Sequence, residues 1–229
     1  SGGFNIRGGA AIAGFISYDE ENVDAFEVGF KSELFDERLR LNLAAFLNQY
    51  EDLQRTVIDP SQVPPIVRVQ NAADAEVKGI EIEATAIVTD RFTVFGALGL
   101  MSAEFESFPG LIAGSDGKGL DMARVPEVTY NLGGEYDLPL DGGDSFLVRG
   151  HYSFVGERPV NDQNFADLKS YKRLNFSATY YSAGENFSIA AFGKNLTNSS
   201  VGTTGYRGLN FTNILPPPRT WGVELTYQF

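Results

Sequence analysis

RTWGVELTYQF, residues 219–229, sets Trp221, Val223, Leu225, Tyr227 and Phe229 against Thr220, Gly222, Glu224, Thr226 and Gln228. A period of two marks a strand with one apolar and one polar face. Terminal segments are ordinarily polar and frayed. An alternation carried through to a closing phenylalanine therefore asks for a reason.

The pattern recurs upstream. RLRLNLAAFLN (38–48), GIEIEATAIVT (79–89) and EVTYNLGGEYDL (127–138) alternate in the same way. About nine such runs, bounded by turn residues, lie near 22–35, 38–55, 73–89, 91–106, 125–138, 145–157, 170–182, 186–195 and 219–229. Most exceed the globular mode of roughly five or six residues and match the roughly 9–11 residues a tilted strand needs to cross a bilayer. The links between them also alternate. FDER (35–38), TDR (89–91), LPLDGGD (138–144) and SAGEN (182–186) are short and turn-like. The links near 56–72, 107–124, 158–169 and 196–218 are long. All tight turns then fall at one end of a sheet and all long loops at the other, the asymmetry of outer-membrane barrels.

Composition narrows the classes. The 229 residues carry a net charge of −12 and no cysteine. The acidic balance argues against nucleic acid as a partner, and the absence of thiols removes thiol catalysis, thiolate metal sites and disulfides. Mean hydropathy is −0.14, and no run reaches the roughly 18–20 apolar residues of a membrane helix. A barrel is compatible with both facts, because its strands alternate. The opening SGGFNIRGG has neither an initiator Met nor a signal-like region, so Ser1 is expected not to be the natural start. Triplets such as Asn175-Phe-Ser and Asn195-Leu-Thr are read as chance, since two of the triplets sit inside strand-like runs.

A soluble or surface-exposed β-sandwich, binding a carbohydrate or acting as an adhesin-like module, would alternate equally well. The apolar faces, however, end in aromatics, among them Phe92, Tyr130, Tyr136, Phe146, Tyr180, Trp221 and Tyr227. Rings with a polar tip suit the two bilayer interfaces. Leu41, Leu43, Ile82, Val94, Tyr130, Leu132, Val223 and Leu225 are then expected outward, with Arg40, Glu81, Glu83, Asn131, Glu135 and Glu224 inward.

ENVDAFEVGFKSELFDERLRLNLAAFLNQYEDLQ (21–54) resembles the E-x-x-D-x-[YF]-E-x-G-x-K-[ST]-x-[LF] hairpin of TonB-dependent outer-membrane receptors. VKGIEIEATAIVTDRFTVFGALGLMSAEF (77–105) resembles their next hairpin, and VPEVTYNLGGEYDL, FGKNLTNSS (192–200) and PPPRTWGVELTYQF their later strands. The resemblance covers essentially the whole chain. It implies an all-β, antiparallel up-and-down transmembrane β-barrel segment of about nine strands, with short periplasmic turns and long extracellular loops. The whole barrel would have 22 strands closed around a plug. Residues 1–229 are expected to be the C-terminal part, without the plug, the TonB-contacting segment or the earlier strands.

The implied function is uptake of a scarce bulky nutrient, such as a ferric siderophore, across the outer membrane of a Gram-negative bacterium. The implied partners are outer-membrane lipid, the TonB complex through the plug, and the barrel-assembly machinery. That machinery would read Trp221, Val223, Leu225, Tyr227 and Phe229 as an address. The closing Phe229 thereby acquires its reason.

No catalytic constellation, metal set or cofactor motif is present. His151 is the only histidine and is expected in a lumenal hydrogen-bond network. AGSDGKGLD (113–121) lacks calcium-loop spacing and reads as a loop tip. Glu81, Glu83, Glu127, Glu135 and Glu224 are expected to form cross-strand pairs with Arg40, Arg149 and Arg173. Ligand-binding candidates in the long loops are Arg7, Tyr18, Arg68, Arg158, Tyr206, Arg207 and Phe211, because Arg and Tyr suit an anionic, aromatic chelate.

Overall fold

The structure, a computed structural model, describes residues 1–4, 17–59, 66–112, 115–184, 186–207 and 210–229, without the side chains of 58–59, 66–68, 112, 115, 203–207 and 210–214. The alternating runs form β1 (Asn22–Leu34), β2 (Leu39–Asp59), β3 (Ile66–Thr89), β4 (Phe92–Ser107) and β5 (Val128–Pro139). They continue with β6 (Ser145–Val155), β7 (Tyr171–Tyr181), β8 (Phe187–Lys194) and β9 (Thr220–Tyr227). All nine lie in one antiparallel sheet in which each strand neighbours its sequence neighbour. Among the described residues no ladder joins β1 to β9, so the sheet is open at both edges.

The short turns need unusual backbone. Phe35, Asp36 and Glu37 take φ of 56°, 55° and 65°, and Gly142 and Gly143 take 86° and 91°. Asp and Gly tolerate the left-handed region best. Phe35 tolerates it poorly, and Arg38 braces this turn by donating to the Ile87 carbonyl and pairing with Asp90 at 3.2 Å.

Register sorts the side chains cleanly. Phe30, Leu43, Ile82, Leu98, Tyr130 and Phe154 form one cross-strand row, and Leu41, Ala84, Gly96, Leu132, Tyr152 and Leu174 the next. Lys31, Asn42, Glu83, Ala97, Asn131, Ser153 and Arg173 form a row on the opposite face. The apolar face is uncovered: Leu132 is 60% exposed, Val223 67% and Trp221 81%. Along β2 it runs from Leu39 to Leu47, about 26 Å at roughly 3.3 Å per residue, which is the height of a barrel's apolar band. Beyond Leu47 the same face turns polar, in the row Asp24, Gln49, Glu76 and Glu104. Several of its rings pair near the two ends. Phe92 with Tyr136 and Phe146 with Tyr180 lie by the turns, and Tyr130 with Tyr152 and Phe154 lies nearer the loops.

Three phenylalanines on the polar face each stand opposite a glycine. Phe46 pairs with Gly79, Phe95 with Gly133 and Phe192 with Gly222. Each ring lies where a Cβ on its partner would stand, at 2.8 Å for Gly79 and Gly222. At Gly79 the Leu100 carbonyl also lies 2.6 Å from that point. Gly79→Ala must therefore move both a ring and a backbone, and is expected to destabilise the sheet by about 1–3 kcal/mol, read by denaturant titration of the receptor containing this chain. Gly150→Ala, which meets only the Phe176 ring at 3.9 Å, is the matched control.

One of the strand expectations is corrected. The link near 56–72 is mostly strand, since β2 and β3 run on to Asp59 and from Ile66. Within the expected strand 38–55, β2 bulges at Glu51–Asp52, where Asp52 has φ 55°. Asn71 ties that bulge down by donating to the carbonyls of Asp19, Glu20 and Asp52. The last strand runs Thr220–Tyr227, within the expected 219–229, and the Gln228 amide carries its ladder one step further by donating to the Asn186 carbonyl at 2.9 Å.

Candidate functional site

The three long links after β4, β6 and β8 leave the end opposite the short turns, and each carries a small ribbon. Pro109–Ile112 pairs with Ser115–Asp116, Arg158–Pro159 with Asp167–Leu168, and Thr203–Arg207 with Asn210–Ile214. A fourth, Gly3–Phe4 with Ser17–Tyr18, precedes β1.

Under the first link lies the main buried cluster among the described residues. Leu53, Ala73, Ala75, Phe105 and Phe108 pack with Tyr50, Val57, Leu111, Leu120 and Met122. Phe105 and Phe108 meet edge to face at 5.1 Å, and the Arg55 guanidinium lies 5.5 Å above the Phe105 ring. Arg55 also approaches Asp162 of the second link at 3.9 Å, so one cation touches both the cluster and that connection. Asp162 in turn accepts from the Ala123 amide.

On the polar face the expected pairing is partly realised. Glu135 and Arg149 are direct cross-strand partners at 3.1 Å. Arg40 pairs with Glu33 at 3.0 Å, and Glu83 accepts from Asn42. Such exposed pairs contribute about 0.2–1 kcal/mol. Arg173 stacks on Tyr171 at 4.6 Å, and Arg158 lies 5.5 Å from the same ring. Among the described residues Glu81, Glu127 and Glu224 form no ion pair. Among the described residues the His151 side chain makes no hydrogen bond; its ring stacks with Phe95 at 6.4 Å, and Gly133 opposite it leaves the room that the Phe95 ring fills.

Of the sequence-selected loop residues, Tyr18 lies in the first ribbon against Gly3, and Arg158 is buried at 7% exposure, donating to the Gly156 carbonyl. No hydrogen bond or ring contact brings these two together among the described residues. Arg7 lies outside the described residues, as do the side chains of Arg68, Tyr206, Arg207 and Phe211. By backbone register Tyr206 pairs with Phe211. Trp221, Val223, Leu225 and Tyr227 line the apolar side of the edge strand, with Phe229 against Tyr227 at 5.0 Å. Sequence reading gave Arg55, Tyr171 and Asn195 no place in the site; Arg55 meets Asp162, Tyr171 meets Arg158 and Asn195 meets Pro217, each across a stretch of chain with no shared local pattern.

Arg158 lines a cavity of about 250 Å³ with Asp121, Glu127, Glu157 and Asp167. Burial, then the charges of Glu104, Glu127 and Asp167, raise the Asp121 pKa above its ordinary 3.8. The folded state then holds a proton that the unfolded state has released. The contribution is present below the ordinary carboxylate range and is lost as pH rises through the raised value. Corrected amide protection at Asp121 and Ala123, which bond to Asn164 and Asp162, is expected to fall as pH rises through that window. Asp121→Asn should flatten the dependence.

Among the described residues no group of His, Cys, Asp and Glu could hold a metal ion. A meandering antiparallel wall, with an uncovered apolar face and a charged opposite face, is a segment of a transmembrane β-barrel. Residues 1–196 match the family described as TonB dependent receptor-like, beta-barrel, and the chain belongs to that family, whose members are transport receptors of the Gram-negative outer membrane.

The chain is 28% identical over 232 aligned residues to the metal-pseudopaline receptor CntO of Pseudomonas aeruginosa, covering 99% of the chain and 30% of that relative. It thus spans about a third of the curated relatives it matches. Among solved structures, the ferric yersiniabactin uptake receptor FyuA from Yersinia pestis superimposes with a TM-score of 0.81 at 20% identity, over 100% of this chain and 33% of that one. BauA, the ferric preacinetobactin receptor from Acinetobacter baumannii, gives 0.70 at 20% identity, over 93% and 30%. These two likenesses concern the fold.

Proposed function

We propose that this chain forms the C-terminal wall of an outer-membrane receptor that imports a metal–chelator complex, a ferric siderophore, with energy drawn from TonB through a plug. The observation that carries this reading is the apolar face itself, uncovered across nine strands and of bilayer height. A β-sandwich would bury that face under a second sheet. The unpaired edges of β1 and β9, together with the chain's share of its relatives' length, support further strands and a plug in the rest of the receptor. In this reading the short turns are periplasmic and the polar face is lumenal. The alternating side chains from Trp221 to Phe229 are the signal for barrel assembly. Tyr18, Arg158 and the outer loops bearing Arg7, Arg68, Tyr206, Arg207 and Phe211 meet the ligand.

The test is membrane partition followed by uptake. The chain should sediment with membranes and need detergent for extraction. The receptor containing it should restore proton-gradient-driven uptake of iron chelates to cells lacking their own receptors, and the chain alone should not. A chain that stays monodisperse in buffer without detergent would overturn the reading.

A further inference from the structure

The connection from β8 to β9 is closed at its neck by one side chain. Asn195 is buried at 6% exposure and takes φ 50°, a backbone conformation that Asn adopts more readily than most residues. Its Nδ2 donates to the Ser199 carbonyl at 3.0 Å and to the Pro217 carbonyl at 3.1 Å. Its Oδ1 accepts from the Ser199 amide at 2.9 Å and from the Thr197 hydroxyl at 3.4 Å. Both donors and both acceptors of the amide are thus engaged, and a short side chain with two of each is found only in Asn.

The outgoing and returning ends of the connection therefore meet at Asn195. The ribbon Thr203–Arg207 with Asn210–Ile214 lies between them in sequence. The neck is itself fastened to β7 at three points. The Asn195 amide donates to Asn175 Oδ1 at 2.9 Å, the Leu196 amide to the Leu174 carbonyl at 2.8 Å, and Thr197 Oγ1 to the Lys172 carbonyl at 2.7 Å. Pro216, Pro217 and Pro218 have no N–H to offer a ladder. On the returning side the Pro217 carbonyl is the group that Asn195 captures.

We propose that Asn195 is a positioning residue for ligand capture. It fixes where the arm between Ser199 and Pro217, with Tyr206, Arg207 and Phe211, stands relative to the wall. A ligand-contacting role for the arm rests on the function proposed above. The clamp does not, and it is tested without ligand.

In the receptor containing this chain, spin labels at Thr204→Cys and Lys172→Cys report the distance from arm to wall; this stretch has no native cysteine. The parent should give one narrow distance distribution. Asn195→Ala should abolish it. Asn195→Asp should do the same, because the carboxylate keeps the acceptor bonds but cannot donate to Ser199 and Pro217. Thr197→Val, which loses the wall fastening to Lys172 and the 3.4 Å bond to Asn195 Oδ1 but leaves the Asn195 bonds to Ser199 and Pro217 in place, should keep the narrow peak. The barrel's melting transition should be unchanged in all three. A narrow peak retained in Asn195→Asp would overturn the clamp. So would an Asn195→Ala receptor that loses barrel stability while the arm distance stays fixed.

Discussion

Leu132→Arg is expected to cost the lipid-inserted receptor about 2–4 kcal/mol, the penalty for a cation near the middle of a barrel's lipid face. Leu132 lies midway along the apolar side of β5, between Val128 and Leu138, and is 60% exposed. For a protein in water, replacing so exposed a leucine would be close to neutral. The size of the effect therefore reports what solvates that face. Asn131→Arg, one residue away on the opposite face beside Ala97 and Ser153, should change stability by less than about 0.5 kcal/mol. Both are measured by denaturant titration in lipid vesicles. Equal, small effects would mean that the face does not meet lipid.

Phe105→Ala should be the costliest single change in the loop-end cluster, about 3–5 kcal/mol for a buried ring. Phe105 and Phe108 are the two largest side chains buried almost completely among the described residues. The loss should be local. The amides of Gly117, Gly119 and Met122 bond to the carbonyls of Phe108, Phe105 and Ala103, and these should lose hydrogen-exchange protection. Amides in β6 and β7 should keep theirs. Protection lost equally throughout would show that the cluster and the wall form one cooperative unit.

Alternation in RLRLNLAAFLN and GIEIEATAIVT was enough to place strands, faces and the short-turn end, because period two is a local property that survives without tertiary contacts. It failed where ladder hydrogen bonds win over composition. Asn71 lies in a stretch that reads as a long link, yet the strand begins at Ile66, and Asn71 fastens the bulge at Glu51–Asp52. The loop-end site was less legible. Phe105, Leu120 and Leu53 meet across three segments with no shared period, and Arg55 reaches Asp162 over more than a hundred residues. Choosing Arg158 for its charge found a buried side chain, but its stacking on Tyr171 depends on a register that no local pattern encodes.

The phenylalanine rings opposite Gly79, Gly133 and Gly222 also bear on the relief of the polar face. A ring occupying the place of its partner's missing Cβ lies over the neighbouring strand instead of standing away from the sheet. With alanine at the partner position the same ring would have to move off that strand. Glycine at three positions lets the polar face keep aromatic surface while staying low.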